Sequence, residues 1–290
     1  MTPPVDEAVP VPPVRTIQRL SWRDGRFESG VRTVPEEVPV ALSYNRTSHA
    51  VMMATPQDLR DFALGFSLSE ALVEAADEIE EIEIVPLRAD PDAPLRGDPD
   101  APVRGLELRL WVAEPVMRRL DGRRRHVAGP TGCGLCGLES LEAALRPPRP
   151  VPRGRTHRPE AVMAAMASLR PAQALNHATR AVHAAGFWTE ADGLLAVRED
   201  VGRHNALDKL HGALAVSGCD AASGILVMTS RISVELVQKA SIMGVTTLAA
   251  VSAPTALALR IAEEAGITLV AVAREDGFEL CSGAWRIRDA

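Results

Sequence analysis

Two of the four cysteines in this chain stand three positions apart, Cys133 and Cys136, inside Gly129-Pro-Thr-Gly-Cys-Gly-Leu-Cys-Gly137. Four glycines in nine residues free the backbone for left-handed turns and leave the sulfurs uncrowded. Such a loop presents thiols rather than packing them, which argues against an incidental pair of core cysteines. Cys136 lies just before Leu138, Leu141, Ala144 and Leu145, whose spacing predicts a short helix. The positive end of a helix favours a thiolate, the reactive form of cysteine. Arg118, Arg119, Arg123, Arg124, Arg125 and His126 lead into the loop and add positive potential if it folds back on them. The pattern predicts sulfur chemistry, and it does not decide which thiol attacks first.

Three chemistries use a CxxC pair. A structural zinc site needs two further sulfur or imidazole ligands; Cys219 and Cys281 stand alone, and His126 and His157 lack zinc-knuckle spacing. We therefore expect no metal. A dithiol oxidoreductase opens a thioredoxin-like helix after the first βα unit, whereas this pair falls mid-chain between Arg-rich and Pro-rich stretches. A sulfur carrier needs an exposed, acidified thiol, and this loop offers one. The rival class is a binding module, a cofactor chaperone that moves no sulfur.

The chain has 290 residues, 46% hydrophobic and 24% charged, with a formal net charge of -6. That suits a globular protein of one or two domains and excludes a general nucleic-acid binder. Aromatic content of 3% disfavours base-stacking platforms. No apolar run reaches membrane-spanning length, and the proline-rich, acidic start lacks signal-peptide order. The expected setting is the cytoplasm, where thiols stay reduced.

Residues 1–14 are expected to form a disordered tail, 15–145 a smaller α+β domain ending in the CxxC loop and its helix, 146–158 a linker, and 159–290 the second domain. In the first, Val38–Tyr44 and His49–Met53 read as a hairpin about Asn45-Arg-Thr47. Thr55 reads as an N-cap, with Pro56 opening a helix that carries Leu59, Phe62, Phe66 and Ser69. A tandem octapeptide over 87–102 reads as a solvated insertion between strands 79–85 and 106–112. In the second domain, a helix at 159–169 precedes strands at 179–187 and 193–197. Helices at 205–216, 234–243 and 254–265 then alternate with strands at 224–228, 245–251 and 267–273. Gly244 and Gly266 close two of the helices. The alternation predicts an α/β sheet covered on both faces.

Ligands of such sheets bind beyond the carboxyl ends of parallel strands. Those ends carry Arg198–Asn205, Thr229–Ser233, Ser252–Thr255 and Arg274–Gly277. Hydroxyls, arginines and helix N–H groups converging on one edge make a phosphate site. Ordinary capping explains any one segment; four together shift the balance to a phosphate-bearing ligand. Arg231 is the best phosphate candidate, and His204 is a candidate for cofactor contact or proton transfer. Asp208 and Lys209 read as a solvated helix face, His183 as a strand histidine, and His49 as packing.

Gly-Cys-Gly-Leu-Cys-Gly, Glu199-Asp-Val-Gly-Arg-His-Asn-Ala-Leu-Asp-Lys209 and Ala249-Ala-Val-Ser-Ala-Pro-Thr255 resemble the FdhD family of formate dehydrogenase accessory proteins. So do Val38-Pro-Val-Ala-Leu, Ser48-His-Ala-Val-Met-Met-Ala54 and Asp61-Phe-Ala-Leu-Gly-Phe-Ser-Leu-Ser-Glu70. The resemblance implies a sulfurtransferase. A cysteine desulfurase loads a persulfide on the CxxC loop, and the sulfur passes to the molybdenum of a bis(molybdopterin guanine dinucleotide) cofactor needed by formate dehydrogenase. That cofactor is a bound substrate.

The resemblance also implies a homodimer and a three-layer, cytidine deaminase-like C-terminal domain with a mixed sheet. Deamination is not implied, because the His-x-Glu and Pro-Cys-x-x-Cys zinc signature is absent. By position, Cys133 matches the persulfide cysteine and Cys136 its partner. Val272, Ala273, Arg274, Glu275, Asp276 and Gly277 match the cofactor-binding stretch. Pro130 replaces a more usual arginine, and Arg180-Ala181 replaces a glycine pair.

Overall fold

The computed structural model describes residue 9 and residues 11–88, 103–124 and 147–288. The Cys133–Cys136 loop, Arg125, His126, the helix expected at 138–145 and residues 89–102 of the tandem repeat lie outside the described residues.

The chain opens with a ribbon that its sequence pattern concealed. Strands β1 (Val14–Arg23) and β2 (Arg26–Pro35) pair antiparallel about Asp24-Gly25, both at positive φ, as a two-residue hairpin requires. Arginines alternate with apolar residues along both strands, which weakens the strand signal. Val9 and Val11, in the expected tail, pack partly buried against the core of the first unit.

That core lies under a four-stranded sheet in the order β4-β3-β6-β5. Its strands are β3 (Val38–Tyr44), β4 (Thr47–Ala54), β5 (Ile79–Arg88) and β6 (Val103–Val112). β3 and β6 run parallel, and the remaining pairs are antiparallel. The β3–β4 turn uses Asn45 and Arg46, again at positive φ. Helices α1 (Leu59–Ser69) and α2 (Glu114–Arg124) supply Phe62, Phe66, Val116 and Leu120, which bury against Leu42, Tyr44, Leu108 and Leu110. Thr55 does not cap α1. Asp58 occupies that position with φ 52 and no side-chain cap, because Thr55 is engaged elsewhere.

The second unit holds α3 (Pro159–Leu169), α4 (Ala174–Thr179), β7 (His183–Thr189), β8 (Gly193–Asp200), α5 (Arg203–Ser217), β9 (Ile225–Met228), α6 (Val234–Met243), β10 (Thr247–Ala250), α7 (Ala256–Ala265), β11 (Thr268–Arg274) and β12 (Gly277–Ser282). Its sheet has the order β12-β11-β10-β9-β7-β8 and is mixed. β9, β10 and β11 are parallel, while β7 and β12 run against them. Helices α5, α6 and α7 cover one face and α3 the other, giving three layers. Residues 174–179 form a helix that the sequence pattern did not predict, and the strand expected over 179–187 starts only at His183. Both oxygens of Glu199 accept from its first backbone N–H groups, Leu175 at 2.7 Å and Asn176 at 2.8 Å. Arg180 then takes φ 57 at its C-terminus, a conformation that glycine adopts without penalty.

The 146–158 stretch, expected as a linker, is held along the second unit from Val151 onward, where Val151 N–H donates to the Ala265 carbonyl. Arg286, completely buried, donates to the carbonyls of Pro152, Arg153 and Gly266. His157 bridges to Ile287.

The units meet where α1 crosses α5. A Cβ added to Gly65 would lie 1.7 Å from the Asp208 carbonyl oxygen, and one added to Gly212 would lie 2.0 Å from that of Asp61. Only glycine permits this approach of two backbones.

Candidate functional site

Strand directions bring the four expected segments to one edge. β8 is antiparallel to β7, and β7 to β9, so β8 ends on the same side as β9, β10 and β11. The loops after β9 and β10 brace each other: Ile232 pairs with Pro254, and Thr255 N–H donates to the Ile232 carbonyl at 3.0 Å. Thr255 caps α7 through Ala258 N–H.

Most polar residues of the Glu199–Lys209 motif hold the fold together. Asp200 Oδ2 lies 2.7 Å from Lys209 Nζ, with both side chains completely buried. The same oxygen accepts from Thr55 N–H at 3.0 Å, and Oδ1 accepts from Gly202 N–H and Asn205 Nδ2. Lys209 Nζ also donates to the Thr55 carbonyl at 2.9 Å, and Asn205 Nδ2 to that of Met53. Arg198 is taken by Asp61, at 2.7 Å from Nε. The expectation of a solvated face at Asp208 and Lys209 is overturned: each is at most 1% exposed.

Two rungs of polar side chains connect α5 to α6, which run side by side. In the inner rung Asp208 meets Lys239 at 2.9 and 3.1 Å, and Lys239 also reaches Glu70 of α1's C-terminus at 2.7 Å. Burial opposes charge on Lys239, but the Asp208 and Glu70 carboxylates outweigh it and push the ammonium pKa up. Burial drives the Asp208 carboxyl up to about 6 against the pull of Lys239. His211 sits beside them, its Nδ1 2.9 Å from Ser69 Oγ, and burial pushes its pKa down to about 4.

The outer rung is His204 and Glu235, one turn closer to the sheet edge on each helix. His204 Nε2 and Glu235 Oε2 stand 4.0 Å apart, beyond hydrogen-bond range. Among the described residues neither atom has a hydrogen-bond partner, and the same holds for Arg203 Nε and Ser233 Oγ. Burial, with Arg203 and Lys239 nearby, drives the His204 pKa down to about 4. His204 is therefore neutral near pH 7, a donor–acceptor rather than a counter-ion for phosphate.

Arg231 and Arg274 are exposed at the edge, with Glu275 and Asp276 in the β11–β12 turn. Val272, Ala273 and Arg274 lie within β11. Val272 has φ 50 at a register shift between Ala271 and Arg274. A β-branched residue in this region is strained.

Among the described cysteines, Cys219 and Cys281 are poor thiolate formers. Partial burial raises each pKa, helped by Asp220 and Glu279 respectively. Among the described residues, no group of three His, Cys, Asp or Glu is placed to hold a metal ion, and no helix is long and apolar enough to cross a membrane.

The sequence model of the FdhD/NarQ family matches residues 35–288. The chain belongs to the FdhD/NarQ family. A relative from Agrobacterium fabrum, named sulfur carrier protein FdhD, is 49% identical over 275 residues, 94% of this chain and 96% of that protein. A protein of the same name from Cupriavidus necator is 49% identical over 265 residues, 91% and 86% of the two chains. The fold matches the crystal structure of a protein described as a formate dehydrogenase accessory protein from Desulfotalea psychrophila. The TM-score is 0.72 at 23% identity, covering 96% of this chain and 100% of that one. Against this FdhD/NarQ background the outer rung is the feature that spacing alone did not reveal. Glu235 follows Ser233-Val234 as an ordinary helix-start acid, and its pairing with His204 depends on how α5 and α6 pack.

Proposed function

We propose that this FdhD/NarQ protein is a sulfur carrier for formate dehydrogenase, acting as a sulfurtransferase. A thiolate of Cys133 or Cys136 attacks the outer sulfur of a persulfide on a cysteine desulfurase. The new S–S bond forms as the donor's S–S bond breaks, and the donor cysteine leaves as its thiolate. The carried sulfur is destined for the molybdenum of a bis(molybdopterin guanine dinucleotide) substrate, whose phosphates suit Arg231, Arg274 and the helix N-termini of the strand edge. Val272–Gly277 and His204 complete that site. The reading includes a cytoplasmic homodimer with a cytidine deaminase-like second unit.

The observation that carries the proposal is the pairing of a CxxC with relatives named for sulfur carriage at 49% identity across 94% of the chain. The raised thiol pKa values of Cys219 and Cys281 favour the CxxC pair as the reactive one. Replacing Cys133 with Ala and assaying the client tests it: formate dehydrogenase activity should fall to background, and undiminished activity contradicts a carrier role for Cys133.

A further inference from the structure

Four buried polar atoms that have no partner among the described residues crowd the starts of α5 and α6: Arg203 Nε, His204 Nε2, Ser233 Oγ and Glu235 Oε2. Buried polar groups are nearly always hydrogen-bonded, so a concentration of unpaired ones calls for a further partner, such as a bound ligand. The His204 and Glu235 side chains are 15% and 19% exposed, which leaves them reachable from the edge. One helical turn inward, the Asp208–Lys239 rung is closed. Lys239 is spent there and on Glu70, so it does not neutralise Glu235. His204 does not neutralise it either, because burial keeps the imidazole uncharged near pH 7.

A free carboxylate oxygen repels phosphate and seeks N–H donors. The ligand group suited to it is a planar edge with two adjacent donors, which a carboxylate accepts bidentately. We propose that Glu235 recognises the ring N–H and amino group of a 2-amino-4-oxopyrimidine edge, with His204 alongside. Guanine carries that edge, and so does a pterin. The inference rests on the reading of a guanylyl molybdopterin substrate and assigns the residue that selects it. Arg203 Nε and the exposed Arg231 remain for the phosphates of the same ligand.

Calorimetric titration of the full chain with two pairs of ligands tests this. GDP is compared with IDP, and pterin with lumazine; the second member of each pair lacks the amino group. The expected result is a preference of roughly tenfold to a hundredfold for the amino-bearing member of at least one pair, lost in Glu235→Gln. A GDP preference assigns the edge to guanine, and a pterin preference over lumazine assigns it to the pterin. Equal affinities within both pairs, binding of none of the four, or a preference that survives in Glu235→Gln would overturn the proposal. The wild-type comparison does not depend on how the variant folds, and a thermal melt confirms that Glu235→Gln does. Persulfide loading of the wild-type chain, read by mass in a separate sample, tests sulfur carriage independently of this outcome.

Discussion

The Asp200 carboxylate lies 2.7 Å from the Lys209 ammonium, and neither side chain is exposed to solvent. The pair belongs to the second unit, yet both partners also grip the backbone of Thr55 in the first. Together with the α1–α5 crossing, it ties the fold of one unit to that of the other.

Lys209→Met leaves a buried carboxylate without its counter-charge. Breaking such a pair from one side costs about 3–5 kcal/mol, so we expect a loss of that order in urea unfolding. Adding Asp200→Leu should recover part of it, since the double change removes both charges. A Lys209→Met protein as stable as wild type contradicts the clamp.

Gly65→Ala sets two effects against each other. Helix propensity favours alanine by about 1 kcal/mol. A Cβ placed 1.7 Å from the Asp208 carbonyl oxygen forces α1 and α5 apart, at a cost of about 3 kcal/mol or more. Sterics should win, and thermal melting should show a marked fall. A rise in melting temperature would mean that the helices do not cross so closely.

Acid should weaken the fold between about pH 6.5 and 4. His204 and His211 titrate at about 4 when folded, against 6.5 ordinarily. Unfolding therefore takes up protons in that window. The stability they lend is complete above 6.5 and is lost as pH falls. Asp208, raised to about 6, acts the other way below that pH and offsets roughly one histidine. The net fall is on the order of 3 kcal/mol. Chemical denaturation across the range checks the slope, and His211→Gln should flatten it. A stability that rises on acidification contradicts the assignment.

The α/β alternation of the second unit could be read in advance because its cues are local: apolar strand runs, helical spacing, and Gly244 and Gly266 at helix ends. The CxxC signal was local too. Thr55, Asp208 and Lys209 were misread because their partners lie far along the chain. Thr55 bonds to residues roughly 145 positions away, and a buried charge looks like a surface charge until its counter-ion is seen. The ribbon at Val14–Pro35 was missed despite its Asp24-Gly25 turn, since five arginines obscure the strand pattern. At the sheet edge, spacing pointed to His204 and Arg231, but Glu235 emerges only from the packing of α6 on α5.

The most direct test of sulfur carriage is intact and peptide mass after incubation with a cysteine desulfurase and cysteine. The account predicts a gain of one sulfur atom, removable by a thiol reductant and mapped to the peptide containing Cys133 and Cys136. It should persist in the Cys219→Ser, Cys281→Ser double variant. No gain, or a gain confined to Cys219 or Cys281, would contradict it.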